Sequence, residues 1–353
     1  MMRKKLAWVL IIAALLGGCQ SISYYSQAIG GQVNIWSKQR DISQVLEDPQ
    51  LDTQTRERLR LALRARRFAS RNLLLPDNES YSQYVKLERD YVVWNVVVTP
   101  RYSIEPLESC FPVVGCLSYR GYYSREDALK YARGQKQEGR DAWVGGVTAY
   151  STLGWFDDPL LSTMLGRSDA ELVGLIFHEL AHQKIYLPDD TRFNESFATA
   201  VEGLGLRRWA MQRQADIDLD LYFDNKRKRQ EIISLVLDAR ESMQNAYAEH
   251  AGAEEQKLAA IKQEQFSLLK QRYAKLRDEG GGLPGYDRFF SGELNNASLA
   301  LFAEYHGWVR AFERLFEQHG ADWESFYAGV EQLSRLPRAE RDARLDELQE
   351  SGS

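Results

Sequence analysis

Apolar residues between Ile35 and Ala69 recur at spacings of three and four, with arginines and glutamates between them. That period predicts one or two amphipathic helices lying against a core. The helices stop before "LLLPDNES", where Pro76, Asp77 and Asn78 mark a turn. The period then changes. "YVVWNVVVTP", Tyr91 to Pro100, is dense in β-branched and aromatic residues and predicts a buried strand, and "FPVVGCLSYRGYY" predicts a second strand and a bend. "SREDALKYARG" predicts a helix with Ser124 as N-cap and Asp127 three residues on. "AWVGGVTAYSTLGWF", Ala142 to Phe156, predicts a further strand, weakened by Gly145 and Gly146.

Helical patterning returns at Ser168, which with Glu171 forms a capping-box pattern ahead of the apolar run "AELVGLIFHELAHQ". This helix should stop near Leu187, because Pro188 disfavours helix at the residue before it, and Asp189, Asp190 or Thr191 can cap a second helix starting near Arg192. From Leu206 to Glu279 there is no proline and one glycine, Gly252, so two long antiparallel helices are expected, broken near His250 to Gly252. "EGGGLPGYD", Glu279 to Asp287, predicts a loop, and "LNNASLALFAEYHGWVRAFERLF" returns to helix. After Pro337 the chain reads as a charged terminal helix or a fraying tail. The whole pattern predicts an α+β, mainly α-helical fold with a small N-terminal sheet and long C-terminal helices.

Composition adds little beyond class: 44% apolar and 27% charged residues are ordinary for a soluble globular chain of 353 residues. The net charge of -5 lacks the clustered basic face that nucleic acid calls for, so no nucleic-acid partner is expected. The opening "MMRKKLAWVLIIAALLGGCQ" is more informative. A basic start, an apolar run from Leu6 to Leu16 too short to span a bilayer, and small residues before Cys19 predict a secretion signal; a short buried helix would not explain the charge order. Leu16-Gly17-Gly18-Cys19 resembles the bacterial lipobox, which implies cleavage before Cys19 and a lipid on its sulfur; Gln20 in place of an acid then implies a protein anchored in the outer membrane, facing the periplasm. The expected organisation is a lipoprotein signal peptide over 1–18, a polar, Gly-containing tether over 19–34, an N-terminal helical and sheet part over 35–157, and a helical part over 158–353. Cys110 and Cys116 fit either a disulfide or two half-buried thiols, and their spacing does not suit structural zinc.

The chemistry-bearing stretch is "IFHELAHQKIYLPDDTRFNESFA", Ile176 to Ala198. Residues four apart on an α-helix stand about 40° round the axis and about 6 Å along it, so His178 and His182 can aim nitrogens at one ion. Glu179, at the edge of the same face, is placed as general base toward an attacking water. An ordinary buried helix with two satisfied histidines would keep the same apolar flanks. Against it stand the scarcity of histidine, five in the chain with two at this spacing, and the Asn-Glu pair on the following predicted helix. Two histidines cannot hold a catalytic zinc alone; a third protein ligand is required.

"FNESFATAVE", Phe193 to Glu202, resembles the Asn-Glu segment of gluzincin aminopeptidases, in which the glutamate of Asn-Glu is the third ligand. The resemblance implies a gluzincin-like helix pair, with the small sheet packed over the helix from Ser168 and the long helices closing the cleft from below, and one zinc ion held by His178, His182 and Glu195, with Glu179 as general base. Glu202, seven residues further on, is the rival, because the twelve residues between His182 and Glu195 are fewer than thermolysin-like and membrane-alanyl-type enzymes use. Asn194 either orients the site or simply belongs to the helix start. In gluzincins a downstream tyrosine or histidine stabilises the oxyanion, which implies Tyr305 here, with His306 and Tyr150 as alternatives; Asn295 and Asn296 fit a helix start equally well. The edge of "GGVTAYSTLGWF" can pair with extended substrate, or the strand can be a buried central one.

The order of these segments along the mature chain resembles the bacterial lipoprotein family of predicted aminopeptidases, which implies a peptide substrate and zinc-dependent hydrolysis. Capture of a substrate ammonium is less legible: the Gly-x-Met-Glu-Asn strand of membrane-alanyl-type enzymes has no counterpart, since "GGVTAYSTLG" carries no carboxylate, and only Glu202 offers one. Two other readings remain open on the sequence: a non-catalytic envelope scaffold with a structural metal site, and an amidase or endopeptidase acting on peptidoglycan stem peptides.

Overall fold

In a computed structural model of the chain, residues 24–111, 115–149, 156–212, 217–300, 302 and 307–351 are described. The first amphipathic stretch folds as a short helix, α2 (Ile42–Glu47), and a long one, α3 (Thr53–Leu73). Asp52 starts α3 by accepting the Thr55 N–H, and Leu59, Ala62, Ala65, Phe68, Ala69 and Leu73 form its buried face. Ahead of them residues 24–37 form a helix, α1, over much of the stretch that reads as tether. Its Gln27 donates to the Gly121 carbonyl (3.3 Å) and accepts the Tyr123 N–H (3.0 Å), and Gln32 accepts the Tyr123 hydroxyl (2.8 Å). Gly31, which in sequence suggests slack, gives the Tyr123 ring room: a Cβ there would come within 2.1 Å of it.

The strands are spread over three small sheets. β1 (Arg40–Asp41), β2 (Gln83–Val85) and β8 (Leu160–Leu161) form one, antiparallel between β1 and β2 and parallel between β2 and β8. β3 (Val93–Thr99) is the centre of an antiparallel sheet between β6 (Arg120–Tyr122) and β7 (Asp141–Val147). Successive valines of β3 serve opposite faces, as the period of two demands. Val96 and Val98 pack with Ala128 and Ala132 of α4 (Arg125–Gln137), while Val97 packs with Ala297 and Ala300 of α10 (Asn296–Ala300). β7 runs through both glycines without losing register on β3. β4 (Ser109–Phe111) and β5 (Gly115–Leu117) form a hairpin that sets Cys110 opposite Cys116, and the two are joined in a disulfide.

The mainly helical α+β class expected from the pattern is what the chain adopts. α5 (Asp169–Lys184) begins at the Ser168–Glu171 capping box, and α6 (Thr191–Met211) begins at Asp190, which accepts the Phe193 N–H. α5 packs against α6 on one side and α3 on another in the main core, which Tyr84, Val85, Leu160 and Leu161 of the first sheet also enter. That core draws on residues from both sides of position 157. α7 (Leu219–Glu249) and α8 (Glu255–Leu276) are the long hairpin, turning at Gly252, with a second core of Ile232, Val236, Met243, Phe266 and Leu269. The hairpin starts at Leu219, later than Leu206, because Leu206 and Trp209 are fully buried as the last turns of α6. The loop expected to Asp287 ends at Leu283, since Pro284 takes the first turn of α9 (Pro284–Ser291).

The remaining helices, α11 (Val309–Gln318), α12 (Trp323–Ser334) and α13 (Arg338–Glu350), close over α6. The charged segment after Pro337 is a docked helix. Leu345 and Leu348 are buried, Asp346 accepts the Trp308 indole N–H (2.7 Å), and Arg341 is buried in an ion pair with Asp190. Among the described residues no helix is long and apolar enough to cross a membrane.

Candidate metal centre

α5 is buried along most of its circumference, with Leu172, Val173, Ile176, Phe177 and Leu180 wholly inaccessible. At about 1.5–3 kcal/mol for each such side chain, this burial contributes roughly 10 kcal/mol toward seating the helix, enough to hold several ionisable groups among apolar neighbours. Gly174 lets α6 come close: a Cβ there would meet the Glu202 side chain at 3.2 Å. The connection to α6 is short and fastened from inside. The Asn194 side chain, 2% exposed, accepts from the Leu187 N–H (2.8 Å) and donates to the Leu187 carbonyl (2.7 Å), clamping the turn immediately before Glu195.

The result is a convergence of three groups. The Nε2 atoms of His178 and His182 are 3.1 Å apart, the Glu195 carboxylate lies 3.3 Å from the first and 3.4 Å from the second, and the two imidazoles stand nearly perpendicular, at 85°. Two donors each about 2.0–2.1 Å from a tetrahedral zinc stand about 3.3 Å apart, so the three spacings are those of a zinc ligand set. Glu202 is elsewhere. It accepts from His178 Nδ1 (3.2 Å) on the far side of the ring, and it is held there by the Tyr222 hydroxyl and by Lys226 Nζ at 3.8 Å. A carboxylate on the second nitrogen fixes the tautomer and the ring orientation of a metal-binding histidine. His182 Nδ1 is buried with no hydrogen-bond partner among the described residues.

The electrostatics follow from this packing. Burial opposes a positive charge on His178, yet Glu195 and Glu202 outweigh it and push its pKa up to about 10. Burial likewise works against ionisation of Glu195, but the two histidines hold it far below the ordinary carboxylate range, and Lys226, His178 and Tyr222 bring Glu202 down to about 2. Glu179 goes the other way: burial raises its pKa, against the lowering influence of His178 and His182. This is the direction a proton acceptor near neutral pH requires. His178 and Glu179 both line a cavity of about 510 Å³ between the first half of α5, α6 and the start of α7.

His178, His182 and Glu195 are thus brought together, with Glu179 beside them and Glu202 behind His178. Asn295 and Asn296 serve the helix start: Asn295 accepts the Ser298 N–H, and Asn296 is buried and donates to the Arg101 and Ser103 carbonyls. Tyr305, His306 and Tyr150 lie outside the described residues. Sequence reasoning missed Tyr222 and Lys226. Their signal was faint, an i, i+4 pair that faces α6 only because α7 starts at Leu219.

A mainly helical α+β fold thus carries a two-histidine, one-glutamate convergence next to a buried carboxylate. The chain belongs to the family described as "Putative aminopeptidase", whose model matches residues 23–345, from α1 into α13. No curated protein matches it, and no solved structure does.

Proposed function

We propose that the protein is a zinc-dependent peptidase of aminopeptidase type. The observation that carries this reading is the 3.1–3.4 Å convergence of His178, His182 and Glu195, of which His178 lines a cavity together with Glu179. His178 and His182 would hold the ion through Nε2, Glu195 would be the third ligand, and Glu202 would orient His178. Zinc, when bound there, supplies a Lewis acid that polarises a scissile carbonyl and acidifies water.

The chain's own groups account for the proton movements. Glu179, made more basic by burial, takes a proton from the attacking water and returns it to the leaving nitrogen. α5 fixes Glu179 against the two histidines, so the proton acceptor and the ligand pair are one rigid unit. The cavity beside His178 and Glu179 is walled by the start of α7, through Leu221, Tyr222, Asn225, Lys226 and Arg229. Glu202 is committed to His178, Tyr222 and Lys226, so it is not available to capture a substrate ammonium; the exopeptidase direction rests on the family. A lipid on Cys19 would keep this activity at the outer membrane, facing the periplasm.

The test is Glu179→Gln in the zinc-loaded full chain, followed by peptide hydrolysis and metal content together. Zinc should remain at one ion per chain while turnover falls by about 10²- to 10⁴-fold. A variant that hydrolyses peptides at the wild-type rate removes Glu179 from the mechanism.

A further inference from the structure

The cavity that reaches His178 and Glu179 carries charges of both signs, and they are not equally satisfied. Among its acids, Asp169 pairs with Arg58, Glu171 accepts the Ser168 N–H (3.0 Å) and hydroxyl (2.9 Å) as half of the capping box, and Asp218 accepts the Leu221 N–H (2.8 Å) as the N-cap of α7. Glu202 is taken by His178 and Tyr222. Among its cations, Lys226 stands 3.8 Å from Glu202, and Arg229 is 4.0 Å from a Glu171 already engaged in the cap. Arg167 has no carboxylate within ion-pair distance among the described residues. One of its terminal nitrogens donates to the neutral Thr148 hydroxyl (2.7 Å), and its Nε is buried with no hydrogen-bond partner among the described residues.

A guanidinium in this position is expensive to leave unmatched. Its planar fork suits a carboxylate better than any other common group, and the Thr148 contact, at the end of β7, fixes its direction without neutralising it. Arg229 and Lys226 line the same cavity, and four of its five carboxylates, all but Glu179, are held by contacts already formed. The volume, about 510 Å³, is within the range of small-ligand sites.

We propose that Arg167, supported by Arg229 and Lys226, is a carboxylate-binding subsite of this cleft, selecting short peptides that present either a free C-terminal carboxylate or an acidic side chain. The proposal takes its ligand class from the peptidase reading above. It assigns substrate recognition to the carboxylate end, where the cleft has an unmatched charge; with Glu179 kept as proton acceptor, the other acids lining the cavity are already engaged and none is left for the ammonium end.

The experiment is equilibrium binding by calorimetry to the zinc-loaded full chain carrying Glu179→Gln, so that binding is read without turnover. Four probes are used: trialanine, its C-terminal amide, and the amides of Ala-Glu-Ala and Ala-Gln-Ala. The acidic member of at least one pair should bind about ten- to hundred-fold more tightly than its neutral partner, and which pair shows the preference separates a terminal from a side-chain carboxylate. Adding Arg167→Gln should bring that ratio close to one, and Arg167→Lys should keep part of it. Equal binding within both pairs, a ratio untouched by Arg167→Gln, or no binding of any probe overturns the proposal. If Arg167→Gln does not fold, the unsubstituted ratios and Arg167→Lys decide. Wild-type protein that cleaves none of the four while the preference holds defeats the peptidase reading and leaves the carboxylate subsite standing; cleavage without preference does the reverse.

Discussion

Glu195 and Glu202 lie seven residues apart on one helix, yet their carboxylates meet different sides of the same imidazole. Glu195 approaches the Nε2 atoms of both histidines; Glu202 approaches only His178 Nδ1 and is further held by Tyr222 and Lys226. The two should therefore fail differently. Glu202→Gln should weaken zinc binding about 10–100-fold, as loss of a histidine's orienting carboxylate does, while Glu195→Gln should weaken it further. Competition titration with a chromophoric chelator measures both, and a larger loss in Glu202→Gln than in Glu195→Gln would reverse the assignment. At this scale the sequence was legible where a role follows from spacing. His178, Glu179 and His182 could be placed from the helical period alone. The choice between the two glutamates could not, because it depends on how close α5 and α6 approach, and that distance is set by Gly174 and by the Asn194 clamp on Leu187.

Among elements, the junction between α5 and α6 is tied to the far end of the chain. Asp190 caps α6 and is paired with Arg341 of α13, and both side chains are nearly inaccessible, 4% and 6% exposed. Asp190→Ala removes a cap and leaves a guanidinium buried without its partner, so it should cost about 3–5 kcal/mol. Asp52→Ala, which removes the exposed cap of α3, should cost only about 0.5–2 kcal/mol. Urea unfolding of the two variants gives the comparison; equal costs would mean that the Asp190–Arg341 pair does not hold α13 down. Helix starts were legible at Ser124, Ser168 and Asp190, where a side-chain oxygen stands three residues ahead of the N–H it accepts. The junction near residues 206–219 was not, since neither proline nor glycine marks it and only the burial of Leu206 and Trp209 assigns the stretch to α6. The docking of α13 was equally hidden. Its sequence is mostly charged, and it is held by the buried Arg341, by Leu345 and Leu348, and by the bonds of Asp346 and Gln349 to Trp308 and Ala311.

For the molecule as a whole, the alternation of periods gave the class correctly, but the number of sheets depends on pairings between distant segments. β2 pairs with β8 across more than seventy residues, and no local pattern encodes that choice. The start of the chain carries a prediction of its own: Cys19→Ser should move the protein from the membrane fraction to the soluble one in cell fractionation, and unchanged membrane partition would count against a lipid on that sulfur. The proposed chemistry depends on the metal. Crystals of the zinc-loaded full chain, measured on both sides of the zinc absorption edge, should show one anomalous peak bounded by His178 Nε2, His182 Nε2 and the Glu195 carboxylate, with Glu202 on His178 Nδ1. No peak at these residues, or a peak coordinated by Glu202 in place of Glu195, would contradict it.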